Sequence, residues 1–148
     1  MKRSEIRSEL LGQHIALRSR LAQACQAAER WNRGEAPRAD ARACLIQFLD
    51  ELRKHNLREE ELLRDVLPGV DPWGSARAEL MSEEHVREHE ELYRASSDAT
   101  SPSDASVALG MINELRESVL DHMAREEKGF LGEDSLRDDE ISLDAFGG

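Results

Sequence analysis

Four stretches of this chain repeat apolar residues at intervals of three and four, and that period admits little except helices that each bury one stripe. The first covers residues 4–31, with Ile6, Leu10, Leu17, Leu21, Ala24 and Ala28 on one face. A break at 32–37 holds Gly34, which stops a helix, and Pro37, which cannot continue one. The second runs from about residue 39 to 66, with Ala41, Leu45, Phe48, Leu52, Leu62 and Val66 in line. Two prolines and two glycines in 68–74 end it. Ser75 is placed to cap the third, which has Ala78, Met81 and Leu92 inward and runs to about residue 95. The Ser/Asp/Thr/Pro segment 96–103 reads as a linker, and Asp104 caps the fourth. Ala108, Met111, Leu115 and Val119 face in there, and Gly129 closes the helix.

No stretch alternates β-branched with polar residues, so strands are not expected. The fold class is all-α. Short connections favour an antiparallel up-down-up-down four-helix bundle over residues 1–130, followed by a short acidic C-terminal tail, 131–148. With 148 residues, one domain can bury a core of its own.

Charge narrows the partners. The net charge is −11, which argues against nucleic acid or an anionic membrane. Part of that charge is local: Glu133, Asp134, Asp138, Asp139, Glu140 and Asp144 stand against Arg137 alone near the C-terminus. Leu131, Leu136, Ile141, Leu143 and Phe146 make the tail too apolar for a plain linker, so it folds back, contacts a second subunit in a homodimer, or docks a partner. No apolar run spans a membrane and no signal peptide stands at the start. Cys25 and Cys44 lack a CxxC spacing and read as reduced thiols before a disulfide, so a cytoplasmic protein is expected.

All five histidines fall on the apolar stripes. His14 lies between Leu10 and Leu17; His55 follows Leu52, with Glu59 four residues on; His85 and His89 follow Met81; His122 follows Val119, with Glu126 four residues on. Positions i and i+4 of a helix point the same way, about 6 Å apart. His-x3-His thus offers two imidazoles to one ion, and His-x3-Glu offers an imidazole plus a carboxylate able to bridge to a second. Imidazole suits iron, zinc and copper, and carboxylate bridges suit a hard metal pair between bundle helices. A single inward histidine is more often a hydrogen-bonded core residue, but five with two glutamates are costly to bury without a metal. Glu60, Glu61, Glu88, Glu90 and Glu91 read as solvated faces. Tyr93 reads as filler at the bundle end or a phenol near the metals, Met81, Met111 and Met123 as core filler, and Trp31 and Trp73 as end covers.

One histidine on the first helix, His55-Asn56-Leu57-Arg58-Glu59-Glu60, His85-Val86-Arg87-Glu88-His89 and His122-Met123-Ala124-Arg125-Glu126-Glu127 together resemble the hemerythrin-like, or HHE cation-binding, family over residues 10–130. The resemblance implies two iron ions per chain, joined by an oxo or hydroxo bridge. His85, His89 and His122 would hold one, and His14 and His55 the other, leaving it open to O2, peroxide or nitric oxide. Glu59 and a carboxylate after His122 would bridge them. The family's oxygen carriers place an Asp five residues after the fourth-helix histidine, where this chain has Glu127. Helix geometry instead favours Glu126, about 40° round from His122, over Glu127, about 140° round. Binding or reaction with such a ligand is the expected function; the alternative is a non-enzymatic iron or oxygen sensor whose metal loading controls folding or partner binding.

Overall fold

In a computed structural model of the chain, residues 1–66, 74–132 and 136 are described, with the backbone alone over 74–82. Four helices account for nearly all of these residues: α1 (Arg3–Asn32), α2 (Arg38–Val66), α3 (Gly74–Asp98) and α4 (Ala105–Lys128). α1 packs on α2 and α4, and α3 packs on α2 and α4, so the helices form a closed four-membered bundle. Partners on α2 count down as those on α1 count up: Glu9 with Arg58, Gln13 with His55, Arg20 with Gln47 and Glu51. Among the described residues, no helix is long and apolar enough to cross a membrane.

The helix ends follow local chemistry. Gly34 takes a φ of +73°, a conformation that side chains with a Cβ resist, and turns the chain between α1 and α2. Asp104 caps α4 by accepting from the backbone N–H of Ser106 at 2.9 Å and of Val107 at 3.2 Å. α3 continues to Asp98, past the end expected near residue 95. Ser96 makes this possible: it is fully buried, and its hydroxyl donates to the Leu92 carbonyl at 2.7 Å. A polar residue thereby stays helical with its donor satisfied. The capping role of Ser75, the inward placing of Ala78 and Met81, and the position of Trp73 lie outside what is described.

Among the described residues, two apolar clusters form the core. The larger joins Leu17, Leu21, Leu45, Phe48, Leu52, Ile112, Leu115, Val119 and Met123 with smaller residues, and Trp31 and Met111 pack against it from the side. Ile112, rather than Met111, takes the central place on α4. The smaller joins Ile6, Leu10, Leu63, Phe130, Leu131 and Leu136, and here Leu63 rather than Leu62 is the buried residue of α2. Phe130, Leu131 and Leu136 therefore pack on the bundle end, and Arg7 fixes the turn by donating to the Leu131 carbonyl at 2.8 Å. This is fold-back for the first residues of the tail; Ile141, Leu143 and Phe146 lie beyond the described residues. Cys25 and Cys44 are unpaired thiols.

Candidate metal centre

Between the two clusters, the same stripes carry histidine and glutamate instead of leucine. His14 sits between Leu10 and Leu17 on α1, His55 and Glu59 between Leu52 and Leu63 on α2, and His122 and Glu126 beyond Val119 on α4. α3 adds His85 and His89. His14, His55, Glu59, His89, His122 and Glu126 are buried, and His85 is nearly so.

Two groups of donors result among the described residues. Glu59, His85, His89, His122 and Glu126 each bring one ligand atom within 4.8 Å of the others, and so do His14, His55, Glu59 and Glu126. Both glutamates belong to both groups. The Glu59 carboxylate reaches His55 Nε2 at 3.0 Å with Oε2, and His89 and His85 Nε2 at 3.5 and 3.6 Å with Oε1. Glu126 Oε1 lies 3.2 Å from His122 Nε2 and 3.3 Å from His14 Nε2, while its Oε2 accepts from His85 Nε2 at 2.9 Å. Glu59 thus turns one oxygen to each group, whereas Glu126 turns Oε1 to both groups and Oε2 to His85.

Protonation shows what the site asks for. Burial works against a charged His14, but the carboxylates of Glu126, Glu59 and Glu127 close around it outweigh that and push the ring up to about 10. His122 is raised in the same way, with Glu126 the main counterweight to burial. Burial would raise Glu59, but the neighbouring Glu126 carboxyl and the rings of His14, His55 and His89 hold it well below the usual carboxylate range. Burial and Glu59 would raise Glu126, which His122, His14 and His85 hold below that range. Positive charge at the centre is what these carboxylates hold. Even so, His14, His89 and His122 Nε2, both Glu59 oxygens and Glu126 Oε1 are buried with no hydrogen-bond partner among the described residues. Unsatisfied polar atoms in such a layer each cost about 1–3 kcal/mol. A cation among them satisfies all at once, and the imidazole and carboxylate donors suit iron or zinc. The residues fit a metal.

Sequence reasoning missed the outer faces of the rings. Glu60 and Glu88, expected as solvated, accept from His89 Nδ1 at 2.8 Å and His122 Nδ1 at 2.6 Å. Gln13 does the same for His55 at 2.6 Å, and Glu127 for His14 at 2.6 Å. These oxygens only accept, so each Nδ1 carries a hydrogen and Nε2 is the ring nitrogen turned inward. Glu127 therefore stands outside both donor groups, bound also by Arg18 at 2.8 and 3.0 Å, while Glu126 lies within both. Glu61, Glu90 and Glu91 are exposed, as expected. Tyr93 is 39% exposed, on a groove shared with Leu57, Val86 and His89. Phe130 stacks edge-on against His85, with ring centroids 5.1 Å apart, and closes the layer at its end.

The family model for the hemerythrin HHE cation binding domain matches residues 5–133. No curated protein and no solved structure matches the chain.

Proposed function

The chain belongs to the hemerythrin HHE cation-binding family, and from that premise we propose that it holds two iron ions as an oxo- or hydroxo-bridged pair. His85, His89 and His122 would hold one ion, His14 and His55 the other, with Glu59 and Glu126 shared between them. The observation that carries this reading is the sharing: two donor groups, each complete enough for an ion, have both carboxylates in common. Such a pair supplies redox chemistry toward O2, peroxide or nitric oxide, and the group with fewer histidines leaves room for that ligand. The chain's own part is to orient four of the five imidazoles through their outer hydrogen bonds and to keep the centre dry between two apolar clusters. Free thiols at Cys25 and Cys44 suit a reducing, cytoplasmic setting.

Reactivity tests the reading. Protein loaded anaerobically with ferrous iron should change its optical spectrum on mixing with O2, peroxide or nitric oxide. An unchanged spectrum with all three would sink it. A second reading, a non-enzymatic iron or oxygen sensor, draws on the contact of Phe130 with His85, which links the centre to the start of the C-terminal segment. It predicts that metal loading alters protease access to residues 133–148 without turnover of peroxide.

A further inference from the structure

The outer partners of the histidines form a pattern that the metal ligands alone do not require. Gln13 on α1 accepts from His55 on α2, Glu60 on α2 from His89 on α3, Glu88 on α3 from His122 on α4, and Glu127 on α4 from His14 on α1. Followed from helix to helix, the set returns to its start. Each acceptor is also the sequence neighbour of an inner residue: Gln13 of His14, Glu60 of Glu59, Glu88 of His89, Glu127 of Glu126. A step of one residue turns about 100° round a helix, away from the centre and toward the seam with the next helix. There the side chain meets the back of the neighbouring helix's ring.

The four acceptors are not equal. Three are carboxylates and Gln13 is a neutral amide. Its direction is fixed, because its Nε2 donates to Glu9 at 3.3 Å, and Arg58 holds Glu9 through bonds of 2.8 and 3.2 Å. Oε1 is thereby left for His55. Glu127 shares its charge with Arg18 through both guanidinium contacts, whereas Glu88 has a single 3.3 Å contact to Arg125. Among the described residues Glu60 has no arginine. A carboxylate behind an imidazole makes the ring a stronger donor, and a neutral or neutralised acceptor does so less. The weaker pair of acceptors stands behind His14 and His55, and the stronger pair behind His89 and His122.

We propose that Gln13, Glu60, Glu88 and Glu127 form a closed ring of positioning residues that grades the two donor groups, with the neutral Gln13 making the His14–His55 group the first to release its metal. The ring aims the Nε2 of His14, His55, His89 and His122 inward and sets how tightly each group holds. This rests on the metal reading above.

Ferrous iron, loaded anaerobically into the whole chain and withdrawn with a graded ferrous chelator, gives the test. The wild type should release iron in two steps. Glu60→Gln and Glu88→Gln keep an acceptor of the same shape and should weaken the second step about tenfold, leaving the first in place. Gln13→Glu combined with Glu9→Gln reverses the amide and the acid while keeping a bond between them. It should strengthen the first step about tenfold and merge the two. Opposite shifts from near-isosteric changes are not what a merely structural role produces. Single-step release in the wild type, or shifts in the same direction for both kinds of variant, would overturn the ring's role while leaving the metal centre standing. A wild type that takes up no iron would overturn both. As a check that needs no variant, zinc-loaded protein should show ring hydrogens on Nδ1 of His14, His55, His89 and His122 by nitrogen-resolved NMR. Ring hydrogens on Nε2 would contradict the geometry.

Discussion

The main core and the layer of histidines beside it are built on the same stripes of the same helices, yet they are held by opposite means. Leu17, Leu21, Leu45, Phe48, Ile112 and Val119 are buried with nothing to satisfy, and their packing alone stabilises the bundle. His14, His89, His122, Glu59 and Glu126 are buried as well but bring six polar atoms that lack hydrogen-bond partners among the described residues. The first region explains why the chain folds, and the second why it folds around something. A stripe can therefore be continuous in period while changing from a source of stability to a demand on it.

The largest expected effect breaks the first region alone. Phe48→Ala should cost about 3–5 kcal/mol by leaving a cavity. Chemical denaturation should show nearly the same loss with and without iron, and metal content should stay unchanged. A cost that depended strongly on iron would mean that core and centre are not separable.

Glu59→Gln attacks the second region. Its carboxylate is shared by both donor groups, so iron should be lost from both, together with the metal's contribution to stability. For a ligand at about a hundred times its Kd that contribution is about 3 kcal/mol. Melting with and without iron should then coincide for the variant and differ for the wild type. Replacing Glu126 by Gln should remove the bridged spectrum, whereas Glu127→Gln should keep both irons with weakened binding. The reverse result would make Glu127 the bridging residue.

A smaller effect separates the regions by pH. His14 is raised from 6.5 to about 10 when only protons occupy the centre. Its contribution to the stability of metal-free protein is thus complete below about 6.5 and fades as pH rises toward 10. Glu59 and Glu126 are lowered from 4.5, so their contribution is present above that value and fades as pH falls. Metal-free protein should be most stable between these limits. Apparent iron affinity should instead climb with pH through the alkaline side, because the ligands must shed protons. Parallel rather than opposed pH profiles would contradict the proton-for-metal exchange.

The smallest effect belongs to neither region. Asp104→Ala removes the α4 cap and should cost about 1 kcal/mol, with no change in iron content.

The sequence carried the helices and the inner residues because both are properties of one helix at a time. A period of three and four set out the four stripes, and the same period put Glu126 inward and Glu127 aside. Leu63 and Ile112 were displaced by one position because a long stripe drifts round its helix and a neighbouring apolar residue can take the central place. The end of α3 was hidden for a different reason: Ser96 looks like a linker residue unless its buried hydroxyl is known to bond the Leu92 carbonyl. The outer acceptors were not legible at all from single helices, since Glu60 and Glu88 acquire their role from rings on other helices. One signal was present in retrospect. Each polar acceptor directly adjoins an inner residue, in the pairs Gln13-His14, Glu59-Glu60, Glu88-His89 and Glu126-Glu127.

We propose that the polar layer is a centre for a pair of iron ions. Metal analysis with an optical spectrum, on protein expressed with iron and purified in air, tests it most directly. Close to two irons per chain are expected, with near-ultraviolet charge-transfer bands from a bridged ferric pair. One tightly held zinc per chain, no iron and a featureless near-ultraviolet spectrum would contradict it.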